Sequence, residues 1–412
     1  MTLTAEKGVV SIVSKLREYL INTTTELVSI PTINPPGRDY VKMADFLFDE
    51  VKKIGRVEVD KIIVPDGNRE YPRICVLGRM KGSGGGKSVH LNGHYDVVPP
   101  GATWSKDPLK PELIGGKLYG LGASDQKSGL TSILGVLRAF ASFEDQPVGD
   151  ISFSFTPDEE TGGELGLGYL VKEGLVKSDY GIVTEPSMPD LVKIGHRGAL
   201  WLEVSVFGKT AHGSMAFLGI NAFEKSLEIV KALKSYERRV LRRRKTSFPV
   251  EFKQEKHPHL MIGGRAEGGV KVNVVPDRFA FTIDRRLLAE EKLDKQLREI
   301  IGVINKAKAR HGLKINVKIL QKAHSASIEL DNPLATTLQR SHEEVTGKRA
   351  RIVLGPGYMD LRYLIREAGI PSVSYGPGIL RLAHQPDEYV LVDDLVKCTQ
   401  VMALAVSRLT AA

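Results

Sequence analysis

Cysteine is nearly absent, with Cys75 and Cys398 alone among 412 residues. Two thiols build no disulfide framework, and they lack the C-x-x-C spacing of a thiolate zinc site. A reducing, cytoplasmic location is therefore expected. Long apolar runs are missing as well: no stretch approaches the roughly 20 residues a membrane-crossing helix needs. The opening MTLTAEKGVVSIVSKLREYL carries acidic residues and no long apolar segment, so neither a signal peptide nor a membrane anchor is expected. The glycine-rich KGSGGGK (81–87) lacks the Gly-Lys-Ser/Thr ending of a phosphate-binding loop and reads as a hairpin turn before a strand. A net charge of +9 raises the question of nucleic acid. No aromatic-interleaved basic strand or helix-turn-helix signal accompanies the cluster Arg238, Arg239, Arg242, Arg243, Arg244 and Lys245. That cluster reads as a solvated face that draws acidic substrates at most.

What is present describes a folded chain. Apolar residues make up 42%, enough for real cores, and the length favours two or three domains. From Ser88 onward SVHLNGHYDVV reads as a buried strand and GLTSILGVLRAF as a helix with Leu130, Ile133, Leu134 and Leu137 on one face. ISFSF and GIVTE read as further strands. Strands alternating with helices predict an α/β sheet, in which ligands gather beyond the carboxyl ends of the strands. The texture changes after His196. LWLEVSV, HLMIGG, VKVNVV, RFAFTID and KINVKIL are strand-like, and two amphipathic helices, NAFEKSLEIVKALKSYERRVL and LAEEKLDKQLREIIGVINKAKARHG, lie among them. A small α+β unit inserted at 196–326 is expected, with 1–195 and 327–412 forming one discontinuous domain.

Five candidate metal ligands stand at separate points: His94 in GHYDVVP, Asp125 in GASDQKSG, Glu160 in TPDEETGG, Glu185 in VTEPS and His384 in AHQPDE. Two imidazoles and three carboxylates, one able to bridge, can hold two divalent ions for metal-assisted hydrolysis. Each residue taken alone has a plainer explanation. His94 can be a polar strand end, although Asp96, two residues on, can accept the second imidazole N–H and orient the ring. Asp125, among glycines before a helix, can be a cap. Glu159 and Glu160 cannot both point the same way on extended backbone, so one can bind metal while the other faces a substrate. Glu185 can be an ordinary strand-end acid and His384 a loop residue.

In this order and together, the motifs resemble the co-catalytic zinc amidohydrolase family of acetylornithine deacetylase, succinyl-diaminopimelate desuccinylase, aminoacylase-1 and carboxypeptidase G. The likeness spans nearly the whole chain. It implies a catalytic domain with a mixed central sheet flanked by helices and a ferredoxin-like lid and dimerisation domain. It implies two zinc ions, cobalt or manganese being acceptable to such ligands. Asp125 would bridge them, with His94 and Glu185 at one and Glu160 and His384 at the other. Glu159 would be the general base and Asp96 the orienting partner of His94, and the peptide after Asp125 would be cis. His212 in KTAHGSMA would reach a partner subunit's site as oxyanion donor. Asn273 and Arg286 would hold a substrate carboxylate, and Asp360, with Arg362 in the loop near the second metal, would be a further substrate-binding residue.

The resemblance thus implies a homodimer that removes the acyl group from an N-acyl amino acid. A metallo-carboxypeptidase or dipeptidase acting on short peptides is the alternative, and a metal-binding protein without turnover a more remote one. No nucleic-acid or membrane partner is expected. Leu121, Gln126 and Ser128 stand where the family often has arginine, methionine and glycine, and GYMDLRY departs from the usual Gly-Thr/Ser-Asp loop. These departures bear on substrate preference, since the candidate ligands are all present.

Overall fold

Runs of Val, Ile and Phe become buried strands, as β-branched and aromatic side chains fit a pleated surface. The computed structural model describes residues 3–143, 146–187 and 190–412. In chain order the strands are β1 (Glu58–Ile63), β2 (Ile74–Met80), β3 (Val89–His94), β4 (Glu112–Ile114), β5 (Lys117–Tyr119), β6 (Ile151–Thr156), β7 (Tyr180–Pro186) and β8 (Leu191–His196). They continue with β9 (Gly198–Phe207), β10 (His259–Gly268), β11 (Arg278–Leu287), β12 (Lys314–Ala323), β13 (Ala326–Ser327), β14 (Arg351–Gly355), β15 (Ser372–Gly376) and β16 (Tyr389–Leu391). The chain forms two units. The first comprises Met1–Gly195, Ile328–Val353 and Met359–Ala412, the second His196–Ser327 with Leu354–Tyr358.

The first unit is built on a mixed sheet ordered β1-β2-β6-β3-β7-β15-β8, with β14 beside β8. Its centre, β6, β3, β7 and β15, is parallel, while β1, β2 and β8 run antiparallel to their neighbours. All six residues of β3 are buried, as expected of a central strand covered on both faces. Helix Ser128–Ala141 packs against helices Arg17–Ser29 and Val392–Thr410. Gly135 permits the approach: a Cβ there would stand 2.8 Å from Thr399 Cγ2 and 2.9 Å from Leu20 Cδ2. Hydroxyls buried in this packing satisfy one another, Thr24 donating to Thr131 and Thr399 to Ser132, each at 2.9 Å. Among the described residues no helix is long and apolar enough to cross a membrane.

The segment 81–87 is not a hairpin. Both β2 and β3 pair with β6, so it carries the chain across that strand.

The second unit is an antiparallel sheet ordered β10-β11-β9-β12. Helix Ala222–Arg239 joins β9 to β10 and helix Leu293–His311 joins β11 to β12, the β-α-β-β-α-β order of a ferredoxin-like fold. Leu200, Leu202, Val204 and Val206 of β9 pack against Ile229 and Leu233 of the first helix and Ile300 and Ile304 of the second. Asn221 caps the first helix, accepting from the N–H of Phe223 and Glu224.

Two expectations for this unit fail. VKVNVV is a loop rather than a strand, with Val270 87% and Val272 102% exposed. Gly269, at φ +74°, turns the chain out of β10, and Pro276 precedes β11 without an N–H to donate, so the loop closes that hairpin. Arg244 is not a solvated member of the basic cluster: it pairs with Glu291 at 2.8 Å and Glu299 at 2.7 Å.

Candidate metal centre

The first unit collects its chemistry-bearing side chains where the parallel strands end. His94 is the last residue of β3, Glu159 and Glu160 follow β6, and Glu185 lies near the end of β7. Asp96 ties the first two loops together. Its carboxylate accepts the backbone N–H of Glu159 at 3.2 Å and of Glu160 at 3.1 Å, and the Asn34 side-chain amide at 2.9 Å. His94 Nδ1 faces the Asp96 carbonyl at 3.0 Å and an Asp96 carboxylate oxygen at 3.4 Å. In the neutral ring the Nδ1 proton is held there, which aims the Nε2 lone pair the other way.

Along that direction lie carboxylates. His94 Nε2 is 3.3 Å from Asp125 Oδ1 and 3.5 Å from Glu185 Oε1. On the other side, His384 Nε2 is 3.0 Å from Glu160 Oε2 and 3.8 Å from Asp125 Oδ2. Asp125 therefore presents one oxygen to each imidazole. Two sets of ligand atoms are close enough to share a cation: His94, Glu159 and Glu185, and His94, Asp125 and Glu160.

The chemistry of the donor set fits divalent cations. His94 Nε2 and Asp125 Oδ1 are buried and face each other without a hydrogen bond, although buried polar atoms are ordinarily paired. Negative charge is in excess. Burial, with Glu185 nearby, pushes the Glu159 carboxyl well above its usual range, and burial, with Asp125 nearby, pushes Glu185 up to about 8. Burial opposes the His94 imidazolium, yet Asp125 and Asp96 outweigh it and hold its pKa well above the usual value. The bond to Glu160 raises His384 to about 9. Buried carboxylates that resist ionising, beside imidazoles that hold their protons, mark a place where positive charge is wanted.

The loop carrying Asp125 is held by a residue that the sequence reading did not single out. Glu388 accepts the backbone N–H of Gly122 at 3.0 Å, Ser124 at 2.7 Å and Asp125 at 2.8 Å. Its signal was its place four residues after His384. The Asp125–Gln126 peptide is cis.

Asp360 is buried against the loop that carries Glu160: a Cβ on Gly163 would fall 1.9 Å from its Oδ1. Burial raises its pKa to about 7, against the pull of Arg362, whose guanidinium donates to the Gly162 carbonyl at 2.6 Å. The remaining expected residues belong to the second unit. His212 starts a short 3₁₀ helix, its Nδ1 accepting from the Ser214 N–H at 3.2 Å. The neighbouring Gly213 N–H donates to the Asn273 carbonyl at 2.8 Å, so the His212 and Asn273 loops adjoin. Arg286 stands near the far end of β11, opposite His259. It pairs through Nε with Asp284 at 2.9 Å and lies over the Trp201 ring.

Residues 90–408 match the family model described as Peptidase family M20/M25/M40. An uncharacterized metallohydrolase of Methanocaldococcus jannaschii is 27% identical, the match covering 94% of this chain and 98% of that protein. The succinyl-diaminopimelate desuccinylase of Anaplasma marginale is also 27% identical, over 94% of this chain and 96% of its own. Among solved structures, the di-peptidase Dug1p of Saccharomyces cerevisiae superposes with a TM-score of 0.83 at 14% identity, covering 99% of each chain.

Proposed function

The chain belongs to Peptidase family M20/M25/M40, and from that premise we propose that this metallohydrolase removes the acyl group from an N-acyl amino acid, in the manner of acetylornithine deacetylase or succinyl-diaminopimelate desuccinylase. The observation that carries the reading is the buried, unbonded pair of His94 Nε2 and Asp125 Oδ1 at the centre of the carboxylate cluster. His94 and Glu185 would hold one divalent ion and Glu160 and His384 the other, with Asp125 between them. Mixed imidazole and carboxylate donors suit zinc best, and cobalt or manganese next. Bound there, the ions would polarise the amide carbonyl and acidify the attacking water.

The protein's own groups do the rest. Glu159 lies beside the candidate ligands without being needed in either imidazole pair, and its raised pKa suits a carboxylate that takes a proton from water and returns it to the leaving amine. Asp96 keeps the His94 ring in place. Asp360, packed against the Glu160 loop, would be a further substrate-binding residue. On the second unit, which would serve as lid and dimer surface, Arg286 would take a substrate carboxylate, as the planar guanidinium binds two oxygens at once, and Asn273, whose loop adjoins that of His212, would reach the same carboxylate from a second copy together with His212. His212 would donate to the oxyanion in the site of a second copy. The active form is then a homodimer, in a reducing cytoplasm consistent with two buried free thiols.

A dipeptidase or carboxypeptidase is the second reading, favoured by the full-length likeness in fold to a di-peptidase. A binding protein without turnover is a weaker one, since Glu159 accompanies every ligand. The test is hydrolysis by zinc-loaded and chelator-stripped protein of N-acetyl and N-succinyl amino acids and of dipeptides, with Glu159→Gln as control. Zinc-dependent release from the acyl amino acids is expected. Release from dipeptides alone would replace the deacylase reading by the peptidase one, and tight zinc binding with no turnover would favour the binding protein.

A further inference from the structure

Gln126 follows Asp125 directly and is fully buried. Its side-chain amide spans two residues of β7: Nε2 donates to Glu185 Oε1 at 2.6 Å, and Oε1 accepts from the Thr184 hydroxyl at 2.7 Å. The orientation suits a metal ligand, because Glu185 binding a cation is ionised, only accepts, and must meet the NH2 end of the amide. The oxygen that Gln126 grips is the one standing 3.5 Å from His94 Nε2. Gly93 leaves the room, as a Cβ there would stand 3.0 Å from Gln126 Oε1.

We propose that Gln126 is a positioning residue that selects and pins the Glu185 oxygen facing the ion shared with His94, and so sets the affinity of that ion independently of the one held by Glu160 and His384. The inference rests on the reading of Glu185 as a metal ligand. One N–H fixes the carboxylate rotamer and leaves Glu185 to bind through a defined oxygen. Thr184 in turn fixes the amide. Without the tether the carboxylate is free to turn away from His94, and the entropy of restraining it falls on metal binding. Partners of metal ligands contribute about 10–100-fold in affinity in general.

The experiment is calorimetric titration of the metal-free, full-length protein with zinc, for wild type, Gln126→Met and Thr184→Val. Both substitutions nearly keep side-chain volume. The visible absorption of the cobalt-loaded proteins and the melting temperatures of the metal-free ones are recorded alongside. Wild type should take up two ions. In Gln126→Met one of the two should bind about 10–100-fold more weakly, with a changed cobalt band, while the other ion keeps its wild-type affinity. Thr184→Val should show a smaller loss at the same ion. Two unaltered affinities in Gln126→Met would overturn the inference and leave the proposed function standing. Equal weakening of both ions with a lowered metal-free melting temperature would overturn it too, as a fold defect. A wild-type protein that takes up no zinc would overturn the proposed function, and the inference with it.

Discussion

The backbone N–H groups of Gly122, Ser124 and Asp125 converge on the Glu388 carboxylate, so the aim of the Asp125 side chain depends on a residue that need never touch an ion. Glu388→Gln replaces one accepting oxygen by a donor, which opposes an N–H and leaves it buried and unpaired. The expected cost is about 1–3 kcal/mol of folding stability, read from urea denaturation of the metal-free protein, together with weaker zinc uptake. Stability and zinc affinity equal to wild type would show that Asp125 is held by other means. Glu159 makes the opposite case. Glu159→Gln keeps the shape of the side chain but cannot take a proton, so the rate should fall by about 10²–10⁴-fold while zinc content, measured by atomic absorption, stays at the wild-type level. A matched loss of zinc would instead make Glu159 a ligand, a role its place in one of the two ligand groups also permits.

Strand β3 carries two histidines on one face with opposite electrostatics. His94 sits among carboxylates, whereas His90, fully buried, lies 2.9 Å from the hydroxyls of Ser152 and Ser154 on β6, and burial lowers its pKa to about 3. A folded-state pKa below the unfolded value, near 6.5, means that the unfolded chain binds the proton first. This contribution to stability is fully present above about pH 6.5 and drains away as pH falls toward 3, at up to about 1.4 kcal/mol per unit. His90→Gln, which has no such titration, should show a shallower loss between pH 6 and 4 in chemical denaturation; parallel pH profiles would contradict the assignment. The same strand shows what was legible in the sequence. His94, Glu160 and Glu185 were readable because chemical residue types followed apolar runs, and a parallel sheet sends those ends to one side. The α/β class and the antiparallel insertion were readable for the same periodic reason. VKVNVV misled because Gly269 and Pro276 overrode β propensity. The run 81–87 misled because sheet order is non-local, and Arg244 because its partners lie 47 and 55 residues further on. Glu388 acts through backbone N–H groups, so only its place four residues after His384 pointed to it.

Across the molecule charge is divided unevenly: 27 of the 58 Lys and Arg but only 13 of the 49 Asp and Glu fall between His196 and Ser327. Beside that charge the same unit exposes apolar side chains on consecutive turns, Met215, Phe217, Leu218, Ile220 and Phe223, with Phe217 82% exposed. These residues follow His212 directly, and a surface of this kind marks an interaction site on a soluble protein. If a second copy covers it, burying a side chain of phenylalanine size favours association by about 1.5–3 kcal/mol, while two strongly basic units repel one another. The balance predicts a dimer that tightens as salt screens the repulsion. Sedimentation velocity at micromolar concentration should show a dimer whose dissociation constant falls between 0.05 and 0.5 M sodium chloride. Phe217→Glu should shift it to monomer and, if His212 acts in the partner's site, lower the rate by about 10²–10³-fold without loss of zinc. A wild-type monomer of full activity would remove His212 from the mechanism. A dimer that weakens with salt would mean that ion pairs rather than the apolar turns hold it, and would point to the acidic first unit of the second copy as the surface that meets this one.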